Sequence, residues 1–227
     1  MMKISDHSDK QSTEVTRAPT GIDRLDEVLR GGIPVPSLVL LLGDVGTGKS
    51  VICQQFLYKQ AQMGLYSVYL CIDHPPEEVR ENMRSLGWNT EKLEEEGLLK
   101  FIDLFLGRGY DYEYICSTLE KYIKESNRFV VDSISSIAFI YGEKLAYDLI
   151  QKIQGWNREG RGVGIINAVR GMHSQSFEVA LQQACSNVIL LEMKENGRFL
   201  RVVKTTRTSH MTEEFGVEID EAGIRLL

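Results

Sequence analysis

The rhythm of apolar and polar positions changes several times along the chain. "LVLLLG", beginning at Leu38, is a continuous apolar run, the pattern of a strand buried on both faces. "YSVYLCI", "LLKFIDLF", "RFVVDS" and "GVGIINAV" predict four further strands. Between them apolar residues fall at helical spacing: from Lys49 to about Met63, in "PEEVRENMRSLG" with proline at its start, in "YEYICSTLEKYIKE" and in "EKLAYDLIQKIQGWNRE". "TGIDRLDEVLRGG" reads as a short helix, with Thr20 and Asp23 at capping-box spacing and Gly31-Gly32 as its stop. "IPVPS" reads as a connector, "RGMHSQSF" as a polar loop and "EVALQQAC" as a short helix. "NVILLEM", "RFLRVVKT", "FGVEI" and "GIRLL" then follow as strands joined by short turns. Alternating strands and helices, then strand after strand, predict an α/β fold. Its central sheet is mainly parallel and flanked by helices, with an antiparallel C-terminal extension. Residues 1 to 16 are polar and predict a disordered tail, leaving 17–227 as a single domain.

Composition narrows the function classes. Of 227 residues, 43% are hydrophobic and 26% charged, which is ordinary for a soluble globular chain. A net charge of −6 supplies no global attraction to nucleic acid or anionic membrane. No apolar run approaches the ~20 residues of a membrane span, and the polar start has no signal-peptide core. Cys53, Cys71, Cys116 and Cys185 form no CxxC pair, and no His/Cys cluster suggests a metal, so they read as reduced thiols of a cytoplasmic protein.

"GDVGTGKS", Gly43 to Ser50, matches GxxxxGK[ST] between a buried strand and a helix, the context in which this pattern holds phosphates. Gly43, Gly46 and Gly48 let the backbone turn sharply and aim its N–H groups inward at a helix N-terminus. Lys49 is expected at the β- and γ-phosphates, and the Ser50 hydroxyl on Mg²⁺. Asp44, Val45, Thr47 and Val51 complete the nucleotide-binding stretch. Asp132, at the end of "RFVVDS", is the expected second Mg²⁺ residue, through water or through Ser50.

With these parts in place the chain resembles the KaiC-like branch of the RecA superfamily, over about residues 18 to 227. The resemblance rests on "TGIDRLDEVLRGGIP", "GDVGTGKS", "QQFLY", "PPEEVRENMRSLGW", "VVDSISS" and "LRVVKTTRTSH…FGVEIDEAGI". It implies ATP with Mg²⁺ bound between subunits of a homo-oligomeric ring, usually a hexamer. A Lys-x-Arg pair would reach the neighbour's γ-phosphate, and the first of two consecutive glutamates would orient water. This chain departs at both places. Asp73-His74 stands at the glutamate pair, and Asp73 is shorter by one C–C bond, roughly 1.5 Å. His74 either orients water or caps the turn. Glu77 and Glu78 either substitute for Asp73 or favour the start of their own helix. Lys204 matches the lysine, but Arg207 comes one residue late and is expected on the opposite strand face. His210 matches the histidine that closes the motif. Asn167 matches a γ-phosphate sensor or caps its strand. Two loops, "SISSIAFIYGEK" and "AVRGMHSQSF", match those facing the pore of RecA-like rings. Their few cations, Lys144, Arg170 and His173, make nucleic acid a minor expectation. The tyrosines Tyr110, Tyr112 and Tyr114 read as a loop packed on the sheet. The expected function is a Mg·ATP-binding protein with slow hydrolysis, whose nucleotide state controls assembly or an unidentified protein partner. The alternatives are a FlaH-like ATP-binding accessory of the archaeal flagellar motor and a RadA-related recombination ATPase.

Overall fold

The computed structural model describes residues 15–206, 211 and 213–227. Residues 1–14 of the expected tail (1–16) fall outside them, as do Arg207 and His210. Val15 and Thr16 are described, and the Thr16 carbonyl accepts from Val35 N. The chain opens with β1 (Arg17–Ala18), α1 (Asp23–Val28) and β2 (Ile33–Pro34), and β1 and β2 pair antiparallel. The expected connector at Pro34 is therefore part of a short ladder. The cap of α1 also differs from expectation: Ile22 stands at the N-cap, and it is Asp26, a turn inside, that accepts from Thr20 N at 2.7 Å.

There follow β3 (Ser37–Gly43), α2 (Lys49–Gln62), β4 (Ser67–Cys71), α3 (Pro76–Ser85), α4 (Glu91–Glu95), β5 (Leu99–Asp103) and α5 (Tyr112–Glu125). Next come β6 (Arg128–Asp132), α6 (Ile134–Tyr141), α7 (Glu143–Gly160), β7 (Val163–Val169) and α8 (Gln175–Ala184). The chain closes with β8 (Asn187–Lys194), β9 (Gly197–Lys204), β10 (Glu214–Asp220) and β11 (Gly223–Leu226). Among the described residues the main sheet has nine strands in the order β11-β10-β9-β8-β3-β7-β6-β4-β5. Strands β8, β3, β7, β6, β4 and β5 run parallel, and β9, β10 and β11 extend the sheet antiparallel from β8.

Strand parity divides the core. Val39 and Leu41 of β3 face one layer, with Ile52, Phe56 and Leu57 of α2; Leu38, Leu40 and Leu42 face the other, with α5, α6, α7 and α8. This is why the parallel strands read as unbroken apolar runs. On the α2 face the same parity aligns Tyr69 on β4, Asp132 on β6 and Asn167 on β7, and Tyr69 and Asn167 both donate to Asp132. Two expectations change here. "SISSIAFIY" after Asp132 is a helix, because Ile134, Ile137 and Ala138 at helical spacing bury against the second layer. The three tyrosines do not form a loop packed on the sheet: Tyr112 and Tyr114 lie in α5, Tyr112 Oη donates to Leu145 O at 2.7 Å, and the exposed Tyr114 stacks on Tyr110 with ring centroids 4.9 Å apart.

Candidate functional site

The loop Gly43–Ser50 links the central strand β3 to α2, at the C-terminal edge of the sheet, where open α/β folds bind ligands. Two glycines are required by their surroundings. A Cβ at Gly43 would stand 2.4 Å from Leu191 O, and one at Gly48, which has φ +94°, would stand 2.7 Å from Ile219 Cδ1. The C-terminal extension braces the loop from the side. Met193 N donates to Asp44 Oδ2 at 2.9 Å, and Arg198 Nε donates to Gly46 O at 2.9 Å. Inside the loop, Thr47 Oγ1 donates to Asp44 O at 2.8 Å. Val45 is exposed, and Val51 packs against the core.

Lys49 is 8% exposed, and its Nζ donates to Gly43 O at 3.0 Å and Asp44 O at 2.7 Å. Burial pushes its ammonium below the usual lysine range, while Asp132, Cys53, Asp44 and Asp73 pull the other way. Asp132 is 6% exposed, at the end of β6. Its Oδ2 accepts from the Tyr69 hydroxyl and its Oδ1 from Asn167 Nδ2. Burial raises the Asp132 carboxyl, and these two bonds with one from Ser50 oppose the rise. The Asp132–Ser133 peptide is cis.

Asp73 follows β4, and its backbone N–H donates to Asp132 O at 3.0 Å. Asp73 Oδ2 accepts from Ser133 Oγ at 2.8 Å, while Oδ1 is buried without a partner. A cleft of about 210 Å³ opens beside Ser50 and Asp132, walled by Gln54, Tyr69, His74, Glu78, Val79 and Asn82. His74 and Glu78 meet at 3.0 Å, so His74 stands at the cleft with a partner. Asp73 lines a different hollow, also about 210 Å³, with Ile72, Phe105, Leu106, Ser136, Phe139 and Ile140.

A hydrated Mg²⁺ fits these residues. Ser50 and Asp132 are hard oxygen donors, and Mg²⁺ keeps several waters that need acceptors of their own. Asn167 Oδ1, beside Asp132, and Asp73 Oδ1, next to the neighbouring hollow, are buried acceptors without partners.

Lys204 lies at the end of β9, away from this cluster. Its ammonium donates to Gln182 O at 3.0 Å, Gln183 O at 3.1 Å and Cys185 O at 2.7 Å, so all three N–H groups serve the C-terminal end of α8 in its own chain. In the turn after β7, Arg170 pairs with Glu192 and His173 meets Ser135 Oγ at 2.8 Å. Sequence reading missed four contributors: Tyr69, Ser133, Met193 and Arg198. Tyr69 carried one available signal, a hydroxyl inside an otherwise apolar buried strand.

The site agrees with what comparison finds. The family model described as "ATPase: KaiC" matches residues 18–227. The UPF0273 protein of Pyrococcus furiosus is 34% identical over 92% of this chain and 93% of its own length. That of Methanopyrus kandleri is 32% identical over 93% and 92%. A solved KaiC-like protein of Pyrococcus horikoshii superposes with a TM-score of 0.80 at 28% identity, covering 94% of this chain and 99% of that one. A strand–loop–helix phosphate motif, a buried aspartate two strands away and a family match across almost the whole described chain converge: the protein belongs to the KaiC family of ATPases.

Proposed function

We propose that the chain binds Mg·ATP on the loop Gly43–Ser50 and hydrolyses it slowly, in the cytoplasm, with nucleotide state controlling assembly or a protein partner. The observation that carries this reading is the group of oxygens below the loop. Ser50 and Asp132 border one cleft, and Asn167, bonded to Asp132 through Nδ2, keeps Oδ1 there as a buried acceptor without a partner. Lys49 would exchange its bonds to Gly43 O and Asp44 O for the β- and γ-phosphates. Bound Mg²⁺ would neutralise phosphate charge and polarise the γ-phosphoryl group. Ser50 and Asp132 would hold it, and Asn167 would sense the γ-phosphate.

Slow hydrolysis follows from Asp73. Ser133 holds one carboxylate oxygen; the other, buried without a partner, would have to accept from the attacking water on a side chain about 1.5 Å shorter than glutamate. A misplacement near 1 Å costs ~10²-fold in rate. Lys204 and Arg207 are proposed to act from the neighbouring subunit of a homo-oligomeric ring, possibly a hexamer. For Lys204 this requires release from the α8 carbonyls, so the contact forms only on assembly. Arg170 and His173 are already engaged within the chain, which favours a protein partner over nucleic acid. Calorimetry of Mg·ATP binding tests the reading. Binding by wild type that Lys49→Ala eliminates is the expected result, and equal affinity in both proteins overturns it.

A further inference from the structure

We propose that Tyr69 is a positioning residue for the metal: its buried hydroxyl fixes the Asp132 carboxylate and so sets the affinity of the site for Mg²⁺. The proposal rests on the Mg·ATP reading and deepens it.

Tyr69 is 1% exposed in the middle of β4, with its ring 6.0 Å from that of Phe101. A phenylalanine would fill that space equally well. The hydroxyl is the part that needs an explanation, because a buried O–H without an acceptor costs free energy. Its acceptor is Asp132 Oδ2. The register accounts for the meeting. Cys71 pairs with Asp132 across β4 and β6, so Tyr69 starts two residues lower, a rise of about 6.6 Å. A tyrosine ring spans that offset and delivers its hydroxyl at the level of the carboxylate.

Asn167 approaches the other oxygen from β7, on the opposite side of β6. Asp132 is therefore held from both neighbouring strands. The terminal torsion of an aspartate is otherwise broad. Each carboxylate oxygen has further acceptor capacity, which remains for Ser50 and for metal-bound water. Tyr69 also walls the cleft shared by Ser50 and Asp132, so the group that orients the carboxylate borders the metal's own space. Partners of this kind typically change metal affinity by about 10- to 100-fold when removed.

The experiment titrates Mg²⁺ into the full chain at fixed ATP, reading bound nucleotide, with Mn²⁺ binding followed by electron paramagnetic resonance. Tyr69→Phe is expected to raise the half-saturating Mg²⁺ by about tenfold or more. Its nucleotide affinity in EDTA should stay close to wild type, and its melting temperature should fall modestly, because a buried carboxylate oxygen loses one partner. In an Asp132→Asn background the same substitution should have little further effect, because its route to the metal is gone. Asn167→Ala strips the other oxygen without touching the Tyr69 packing, and should weaken Mn²⁺ in the same sense. Wild-type metal affinity in Tyr69→Phe, or an undiminished loss in the Asp132→Asn background, overturns the proposal. A wild type that binds no nucleotide with or without Mg²⁺ overturns the Mg·ATP reading, and this proposal with it.

Discussion

Lengthening Asp73 is predicted to speed hydrolysis. In Asp73→Glu the added methylene extends the carboxylate by about 1.5 Å. Room exists for the change: the hollow beside Asp73 is about 210 Å³ and opens between Phe105, Ser136 and Phe139. The bond from Ser133 Oγ, 2.8 Å in the native chain, can re-form to the longer side chain by rotation of a hydroxyl. If the native shortfall is near 1 Å, restoring it should raise turnover by about 10- to 10²-fold, or roughly 1.4–2.7 kcal/mol of barrier. ATP affinity should stay nearly constant, because the gain falls on positioning in the transition state. Steady-state phosphate release at saturating Mg·ATP, paired with calorimetric affinity, reads both quantities. Asp73→Ala should lower the residual rate further. A rate unchanged in Asp73→Ala refutes the reasoning and shifts water orientation to His74 and Glu78, which wall the cleft at Ser50 and Asp132 where Asp73 does not.

Three further outcomes are expected. Lys49→Ala should abolish Mg·ATP binding in calorimetry while the circular dichroism spectrum stays native, because no other cation of the loop reaches the phosphates. Light scattering should show a larger particle with a non-hydrolysable ATP analogue than without; a monomer under both conditions at tens of micromolar, where micromolar contacts persist, contradicts the assembly reading. Native protein should react with a thiol reagent mainly at Cys116, since Cys53, Cys71 and Cys185 are buried and burial holds the Cys185 thiol up at about 12; equal reaction of all four before unfolding would contradict the packing.

The parts of the fold legible in the sequence are those set by local pattern. The parallel strands declare themselves because both faces are apolar, as at Leu38–Leu42, and the phosphate loop because glycine spacing and a following helix coincide. What was hidden depends on register between distant segments. Tyr69 meets Asp132 only because β4 and β6 pair with Cys71 opposite Asp132, a relation across 63 residues that no local window contains. The bracing of the loop by Met193 and Arg198 is of the same kind. Helix α6 was hidden for another reason. Its β-branched and serine-rich start has weak helix propensity, and tertiary burial of Ile134 and Ile137 overrides it.

The chain is proposed to hold Mg·ATP far longer than one turnover of a typical ATPase. A single preparation of wild-type protein tests it directly, with calorimetric affinity for Mg·ATP and steady-state turnover measured under the same buffer and temperature. Saturable, Mg²⁺-dependent binding is expected together with turnover well below one per second, under the ~1–10³ per second typical of enzymes. Turnover of several per second, or no binding at all, would contradict it.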